Sequence, residues 1–425
     1  MGKPSQRRGP SHRLTGEPRT RRDPSSRRRA LEHQGGRAEA HGDPEVAQTL
    51  VEALESVHGA PPDPLTHGFH SYPARMHYAI ARSILERWAE PRTRLLDPFC
   101  GSGTVLVEAR RRGLRACGVD LNPLGLRVAE VKCARGTEAQ REHLARVAAG
   151  VVEASFDRVQ RRQRVRAPLS AAERQWYAPH VLLELAGLHA EIEALPAGFE
   201  RRALQMVLSA IVVKFSRQRA ETTERAVDRP IGKKVVTGFF ARKVDELVGR
   251  WEQLAEQSPP DGPSARLCEG DARRLSELLG HWRFDLVLSS PPYGGTYDYA
   301  DHHARRIPWL GLSVEGLWQA ELGARRNLSR GKHAARRWAR EVEDMLGSIA
   351  SVLSPRGRVV LLVGDAQVGS QRIEADRQLA ELAPGAGLAV VAAASQSRPD
   401  WQGGPPRREH LVALERAAAR RETAD

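Results

Sequence analysis

The sequence predicts an α/β fold built on a parallel sheet covered by helices, and three observations carry that prediction. Positions 94–100 and 116–120 are short apolar runs, each followed closely by helical apolar spacing, at 104–112 and 124–134. Such β-α-β-α alternation with short loops is the pattern of helices packed on a parallel sheet. Strand signals then vanish for more than a hundred residues and return at 265–269, 284–289, 358–364, 388–394 and 410–414. The expectation is a seven-stranded sheet with a helical insertion between its second and third strands.

In chain order, 44–58 reads as a short helix broken by Pro61, Pro62 and Pro64. Helical spacing at 78–88 leads into Pro91 and the first strand. The insertion is marked by helical stretches at 180–195, 202–215 and 239–254. The chain thus divides into a basic tail (1–46), a first half of the α/β domain (47–136), the insertion (137–260) and a second half (261–425).

Composition narrows the function classes. The 425 residues carry a net charge of +14, but the first thirty hold ten basic residues against two acids, so +8 of it sits there. That stretch is rich in Pro, Ser and Gly, buries too little apolar surface to fold, and reads as a disordered tail. It is either a polyanion-binding arm or a solubilising extension, and it has no apolar core of a secretory signal. The four cysteines form no CxxC pair, which argues against a disulfide framework or a zinc ribbon and fits a reducing cytoplasm. No apolar run approaches the roughly 18–20 residues of a membrane span. A soluble cytoplasmic protein is the class that remains.

The strongest local signal is Asp97-Pro98-Phe99-Cys100-Gly101-Ser102-Gly103-Thr104, set between a strand and a helix. Gly101 and Gly103 let the backbone turn tightly and approach a ligand, while the helix N–H groups beyond favour an anionic group. No Lys-Ser/Thr pair follows, so a P-loop is excluded. Asp120 ends the second strand, where a carboxylate can accept hydrogen bonds from both ribose hydroxyls. Asp271, after the third strand, can meet an adenine amino group or cap the helix beginning near Ala272; both readings stand. Ser289-Ser290-Pro291-Pro292-Tyr293 follows the fourth strand directly. Its prolines fix a rigid turn that aims the Ser290 hydroxyl and the Pro291 carbonyl at one point, and Tyr293 offers a flat face for a planar heterocycle.

These motifs resemble those of S-adenosylmethionine-dependent amino-methyltransferases acting on nucleic-acid bases. Phe69-His70-Ser71-Tyr72-Pro73-Ala74-Arg75-Met76 before the glycine turn, and Ser290 to Tyr293 with Asp298-Tyr299 after it, resemble a bacterial DNA methylase group with the cofactor motif first. The resemblance implies a Rossmann-like methyltransferase sheet and S-adenosylmethionine as cofactor. It assigns Asp97, Phe99, Gly101 and Gly103 to the methionine end of the cofactor, Asp120 to the ribose and Asp271 to the adenine. Phe69 and Tyr72, within the 69–76 segment, would close over the methionine end, and Ser290, Pro291, Pro292 and Tyr293 would hold the target amine. Serine at the head of the last motif is similar to cytosine-N4 enzymes, whereas adenine-N6 enzymes usually carry aspartate.

The partner implied is nucleic acid, DNA ahead of RNA, with a restriction-modification setting and no membrane or metal. Cys100 reads as a small packed residue, and His302-His303 lacks further ligands for a metal. Three arginine-rich clusters offer phosphate contacts: 158–166 and 217–234 in the insertion, and 325–337 after the Ser-Pro-Pro-Tyr motif. The insertion is the expected target-recognition element. Two other readings compete: an RNA guanine-N2 methyltransferase, and a catalytically idle nucleic-acid-binding protein with the same fold.

Overall fold

The computed structural model describes residues 36–161, 163–218, 226–227, 230–296, 298–329, 333–398 and 406–417. The basic stretch 1–30 and Arg162, Arg219, Arg225, Arg330 and Lys332 of the arginine-rich clusters lie outside the described residues.

The strands are β1 (Glu39–Gly42), β2 (Arg94–Asp97), β3 (Arg115–Asp120), β4 (Arg266–Glu269), β5 (Phe284–Ser289) and β6 (Leu353–Gly364), then β7 (Ala366–Val368), β8 (Gln371–Ile373), β9 (Leu388–Arg398) and β10 (Arg407–Arg416). Eight of them form one sheet in the order β1-β9-β10-β6-β5-β2-β3-β4, while β7 and β8 pair as a separate hairpin. Pairing is parallel from β4 across β3, β2 and β5 to β6, and antiparallel from β6 through β10 and β9 to β1.

All seven expected strands are present; the count is corrected to eight by β1. Its four residues, Glu39 to Gly42, are all exposed and pair through the backbone with Ala392 to Ser395. With no buried side chain there is no period-two pattern to read. Position 39 also falls inside the stretch assigned to the tail, as does the start of α1 (Pro44–Glu55), whose N-cap Asp43 accepts from the Val46 N–H at 3.0 Å.

On one face, α1, α2 (Tyr78–Trp88) and α3 (Thr104–Arg111) pack Leu50, Leu54, Ile80, Ile84 and Leu106 onto the sheet. Between β3 and β4 the chain forms α4 (Pro123–Lys132) and then the insertion, α5 (Glu138–Gln160), α6 (Pro179–Glu193), α7 (Phe199–Val212) and α8 (Val235–Glu256). Its core continues without a break into α4: Phe240 and Trp251 share one cluster with Leu124, Val128 and Val131, and the Trp251 indole donates to the Val131 carbonyl at 2.8 Å. Full burial of a side chain like Phe240 contributes about 1.5–3 kcal/mol, so the insertion is fixed to the sheet rather than tethered to it. The other face is covered by α9 (Ala334–Val352) through Met345, Leu346 and Ile349.

From β2 the chain builds outward to β3 and β4, then returns to lay β5 and β6 on the other side of β2. The reversal opens a crevice at the carboxyl ends of β2 and β5, where open α/β sheets bind ligands.

Candidate active site

A cavity open to solvent lies at the carboxyl ends of β2, β3, β4 and β5. The loop after β2 forms its floor. Gly101 has φ +47° and Gly103 φ +83°, the left-handed region that glycine enters without strain. A methyl group on Gly101 would stand 3.1 Å from Tyr72 Cε1, and one on Gly103 2.9 Å from Ala129 Cβ. The first closeness lets the Tyr72 ring roof the turn; the second lets α4 pack against it. Gly103 caps α3 without a side-chain acceptor, so the first-turn N–H groups remain available to a ligand. Beside them the buried Thr104 hydroxyl lines the cavity, with no hydrogen-bond partner among the described residues. Behind the loop, the fully buried Lys132 ammonium donates to Ser102 Oγ at 3.1 Å. Burial, with Arg75 nearby, pushes Lys132 down to about 7.

Two carboxylates face this floor, held by neutral donors. Asp120 accepts from the N–H of Gly101 (2.7 Å) and of Asn122 (2.8 Å). Burial outweighs these bonds and raises it to about 6. Asp97 accepts from the Ser289 hydroxyl at 2.5 Å and from the Phe99 N–H at 3.3 Å, and burial raises it to about 7. Ser289 Oγ also accepts from the Phe99 N–H at 3.2 Å, so this one hydroxyl ties the ends of β2 and β5 together at the crevice. Asp271 combines both of its expected settings. It lines the cavity, and it also caps the short helix Ala272–Arg274 through the Arg273 N–H at 2.9 Å. Its two oxygens are further gripped by the Arg273 guanidinium at 2.6–3.1 Å, which also donates to the Ala320 carbonyl at 2.8 Å.

The far wall is formed by residues 298–322. Ser290 and Pro292 reach the cavity, joined there by Tyr299, Leu317, Ala320, Glu321 and Leu322. This wall is braced by charge. The buried Glu321 carboxylate accepts from the Tyr299 N–H at 2.5 Å and from Arg326 at 2.6 Å, and Arg326 also donates to Asp298 at 3.1 Å.

Of the residues singled out in the sequence, Tyr72, Asp97, Phe99, Gly101, Asp120, Asp271, Ser290 and Pro292 line this single cavity. Gly103 shapes the loop from behind. Pro291 is buried, and the Tyr293 ring lies against Gly364 at the end of β6, where a Cβ would meet Tyr293 Cδ2 at 2.5 Å. Phe69 stands elsewhere: it is fully buried in the core of the insertion with the Lys243 ammonium 5.3 Å above its ring. Its neighbours Ala74, Arg75 and Met76 take the place at the cavity instead. The sequence reading missed Ser289, Lys132, Thr104 and Glu321. Ser289 was visible as half of a serine doublet, and Lys132 as one of only seven lysines; Glu321 carried no local signal.

In the insertion's first basic cluster, Arg158 pairs with Glu191 and Arg161 with Asp157, whereas Arg164 and Arg166 are exposed. Among the described residues no group of three or more His, Cys, Asp or Glu is arranged to hold a metal ion, and no helix is long and apolar enough to cross a membrane.

Comparison with known proteins adds independent findings. Residues 69–153 match the RMKL-like methyltransferase domain family. The Type II methyltransferase M.MvaI of Kocuria varians is 41% identical over 71 residues, 16% of this chain and 16% of that protein. The Type II methyltransferase M.AvaI of a Nostoc species is 23% identical over 245 residues, 53% of this chain and 50% of its own length. The chain therefore spans half or less of these relatives. Among solved structures, the rRNA methyltransferase aviRa of Streptomyces viridochromogenes aligns over 85% of this chain and 95% of its own, with 14% identity and a TM-score of 0.35. The family and relative matches bear out the likeness to S-adenosylmethionine-dependent DNA amino-methyltransferases that the motifs carry.

Proposed function

We propose that this protein is an S-adenosylmethionine-dependent methyltransferase that methylates an exocyclic amine of a DNA base, cytosine N4 ahead of adenine N6. The observation that carries the proposal is the meeting of Ser290 and Pro292 with Asp120 and the Gly101 turn on one cavity.

The cavity suits the cofactor on its own chemistry. The Gly101 turn sits at positive φ with a Cβ there only 3.1 Å from the Tyr72 ring, Asp120 keeps acceptor capacity beyond its backbone bonds, and the buried Thr104 hydroxyl has no hydrogen-bond partner among the described residues. Asp120 would hold the ribose hydroxyls, the first turn of α3 with Thr104 the amino-acid end, and Asp271 with Ala272 the adenine. When bound, S-adenosylmethionine supplies a methyl group on a sulfonium centre open to displacement by a nitrogen lone pair.

The chain's own part is positioning. The Ser290 hydroxyl and the Pro291 carbonyl accept from the target amine and direct its lone pair into the cavity. Ser289 holds that turn against the cofactor floor through Asp97. Tyr293, whose ring lies against Gly364, would offer a flat face to the base. A base in a duplex must leave the stack to reach this point, at a cost of a few kcal/mol. The insertion and the exposed arginines beside the wall would supply phosphate contacts and target recognition.

The test is incubation with methyl-labelled S-adenosylmethionine and either duplex DNA or tRNA, followed by identification of the labelled nucleoside. N4-methylcytosine is expected; label in N6-methyladenine corrects the base, and label in tRNA alone overturns the proposal. Ser290→Ala should cut turnover by about 10²-fold, with cofactor affinity within a factor of two.

A further inference from the structure

Two tryptophans are strongly exposed among the described residues, Trp282 and Trp318, each 47% open to solvent. Both carry an arginine on the ring: Arg266 at 4.5 Å over Trp282, and Arg326 at 4.1 Å over Trp318. Their places differ. Trp282 precedes β5 and stands at the amino-terminal ends of the strands, away from the cavity. Trp318 belongs to the short helix Glu315–Ala320, whose Leu317 and Ala320 form the cavity wall opposite the glycine turn.

The Trp318 ring is also held in place. Arg326, stacked on it, is fixed by Asp298 at 3.1 Å and Glu321 at 2.6 Å, and its guanidinium donates to the Trp318 carbonyl as well. A side chain ordered this way loses little freedom when a flat partner meets it. Further exposed arginines follow in the chain. Arg325 is exposed at the start of the next turn, and Arg336 and Arg337 are exposed on the first turn of α9. The turn is anchored by Trp338, whose ring packs on Gly294 after the Ser-Pro-Pro-Tyr motif and on Gly323, directly after the wall. A flat, braced aromatic on the helix that lines the cavity, with exposed arginines following it in the chain, fits a nucleic-acid stack with its phosphates.

We propose that Trp318 enters or abuts the base stack of duplex DNA where the target base leaves it, and holds the duplex open by stacking on a neighbouring base. The inference rests on the proposed DNA methylation and adds to it the residue that replaces the lost stacking. Arg326 keeps the ring in position, and Arg325, Arg336 and Arg337 contact the flanking phosphates.

The experiment compares the full-length protein with Trp318→Ala and Trp318→Phe, measuring methyl transfer to mixed-sequence plasmid DNA as native duplex and as heat-denatured strands. Cofactor affinity is titrated in parallel. Trp318→Ala should lower the rate on native duplex by about tenfold and on denatured strands by less than about threefold, because separated strands have no stack to hold open. Trp318→Phe, which keeps a flat ring, should recover most of the loss, and cofactor affinity should stay within a factor of two. An equal loss on both substrates, or a loss of cofactor affinity, would make Trp318 a brace of the wall and overturn the inference. So would native-duplex activity within twofold of the wild type. Wild-type transfer to tRNA and to no DNA would sink the DNA reading as well, which separates that failure from the others.

Discussion

Two acidic centres of the fold are built in opposite ways. Glu108, on α3, is fully buried and makes four hydrogen bonds: from His67 at 2.8 Å, from Arg82 at 3.0 and 3.1 Å, and from Arg111 at 2.8 Å. Burial pulls its carboxyl upward, but these donors outweigh it and hold Glu108 at about 2. Burial also keeps His67 at about 4, so its ring is neutral and donates from Nε2. Among the described residues Asp120 and Asp97 have no cation on them, only N–H and O–H donors, and burial lifts them to about 6 and 7. An acid matched by cations is spent on the fold. An acid held by neutral donors keeps charge and lone pairs for something that arrives later.

That contrast can be broken or sharpened. The largest effect is expected from Asp120→Ala, which should weaken cofactor binding by about 10²-fold, as two hydrogen bonds to a charged acceptor are lost, while the melting temperature falls less than for Glu108→Gln because only the Gly101 and Asn122 N–H groups lose their acceptor. Calorimetric titration and thermal unfolding read the two quantities separately; a large fall in stability would place Asp120 with Glu108. Glu108→Gln should do the reverse. It leaves Arg82 and Arg111 without their buried counter-charge and should cost about 3 kcal/mol in urea unfolding, with cofactor affinity within twofold.

The pH dependence should divide the same way. Cofactor affinity should fall several-fold between pH 8 and pH 5 with a midpoint near 6, as Asp120 takes up its proton. Stability from Glu108 has the opposite sign of shift: it is fully present above the unfolded value of about 4.5 and is lost only as pH falls through about 2. The stability contribution of Asp120 and Asp97 is present below the unfolded value near 4 and is lost as pH rises through about 6 and 7, so the free protein should not weaken on mild acidification. An affinity profile flat from pH 8 to 5 would remove Asp120 from the binding role.

The smallest effect tests the mixed case. Asp271 faces the cavity yet is gripped by Arg273, so Asp271→Asn should weaken cofactor binding only about threefold. A loss as large as that of Asp120→Ala would mean that Arg273 lets go when the cofactor binds, and that a cation on an acid does not mark it as structural.

Those features written in contiguous residues were legible beforehand. The glycine turn, Asp120 at the end of β3 and Ser290 at the end of β5 each follow an apolar run, and the topology alone brings them together. The insertion was readable because α6, α7 and α8 repeat the helical period over long stretches. Features made by distant partners were not. Nothing near Glu321 indicates that Arg326 and the Tyr299 N–H will converge on it, and nothing near Phe69 says that the insertion will claim its ring while Arg75 and Met76 reach the cavity. Ser289 was passed over beside Ser290 because strand alternation alone does not say which of two adjacent serines meets Asp97. β1 escaped because its pairing is carried by peptide groups and not by side chains.

That last strand bears on how the protein can be handled. β1 covers the outer edge of β9, and the Gly42 backbone lies so close to Ala392 that a Cβ at Gly42 would stand 2.6 Å from its Cα. A chain trimmed at position 46, where composition marks the end of the tail, would lose this cover and bare a row of unpaired N–H and C=O groups along an alanine-rich strand. Such an edge is a template for a second sheet. The four exposed residues of β1 are thus a guard against self-association, and a soluble truncation should begin before Glu39.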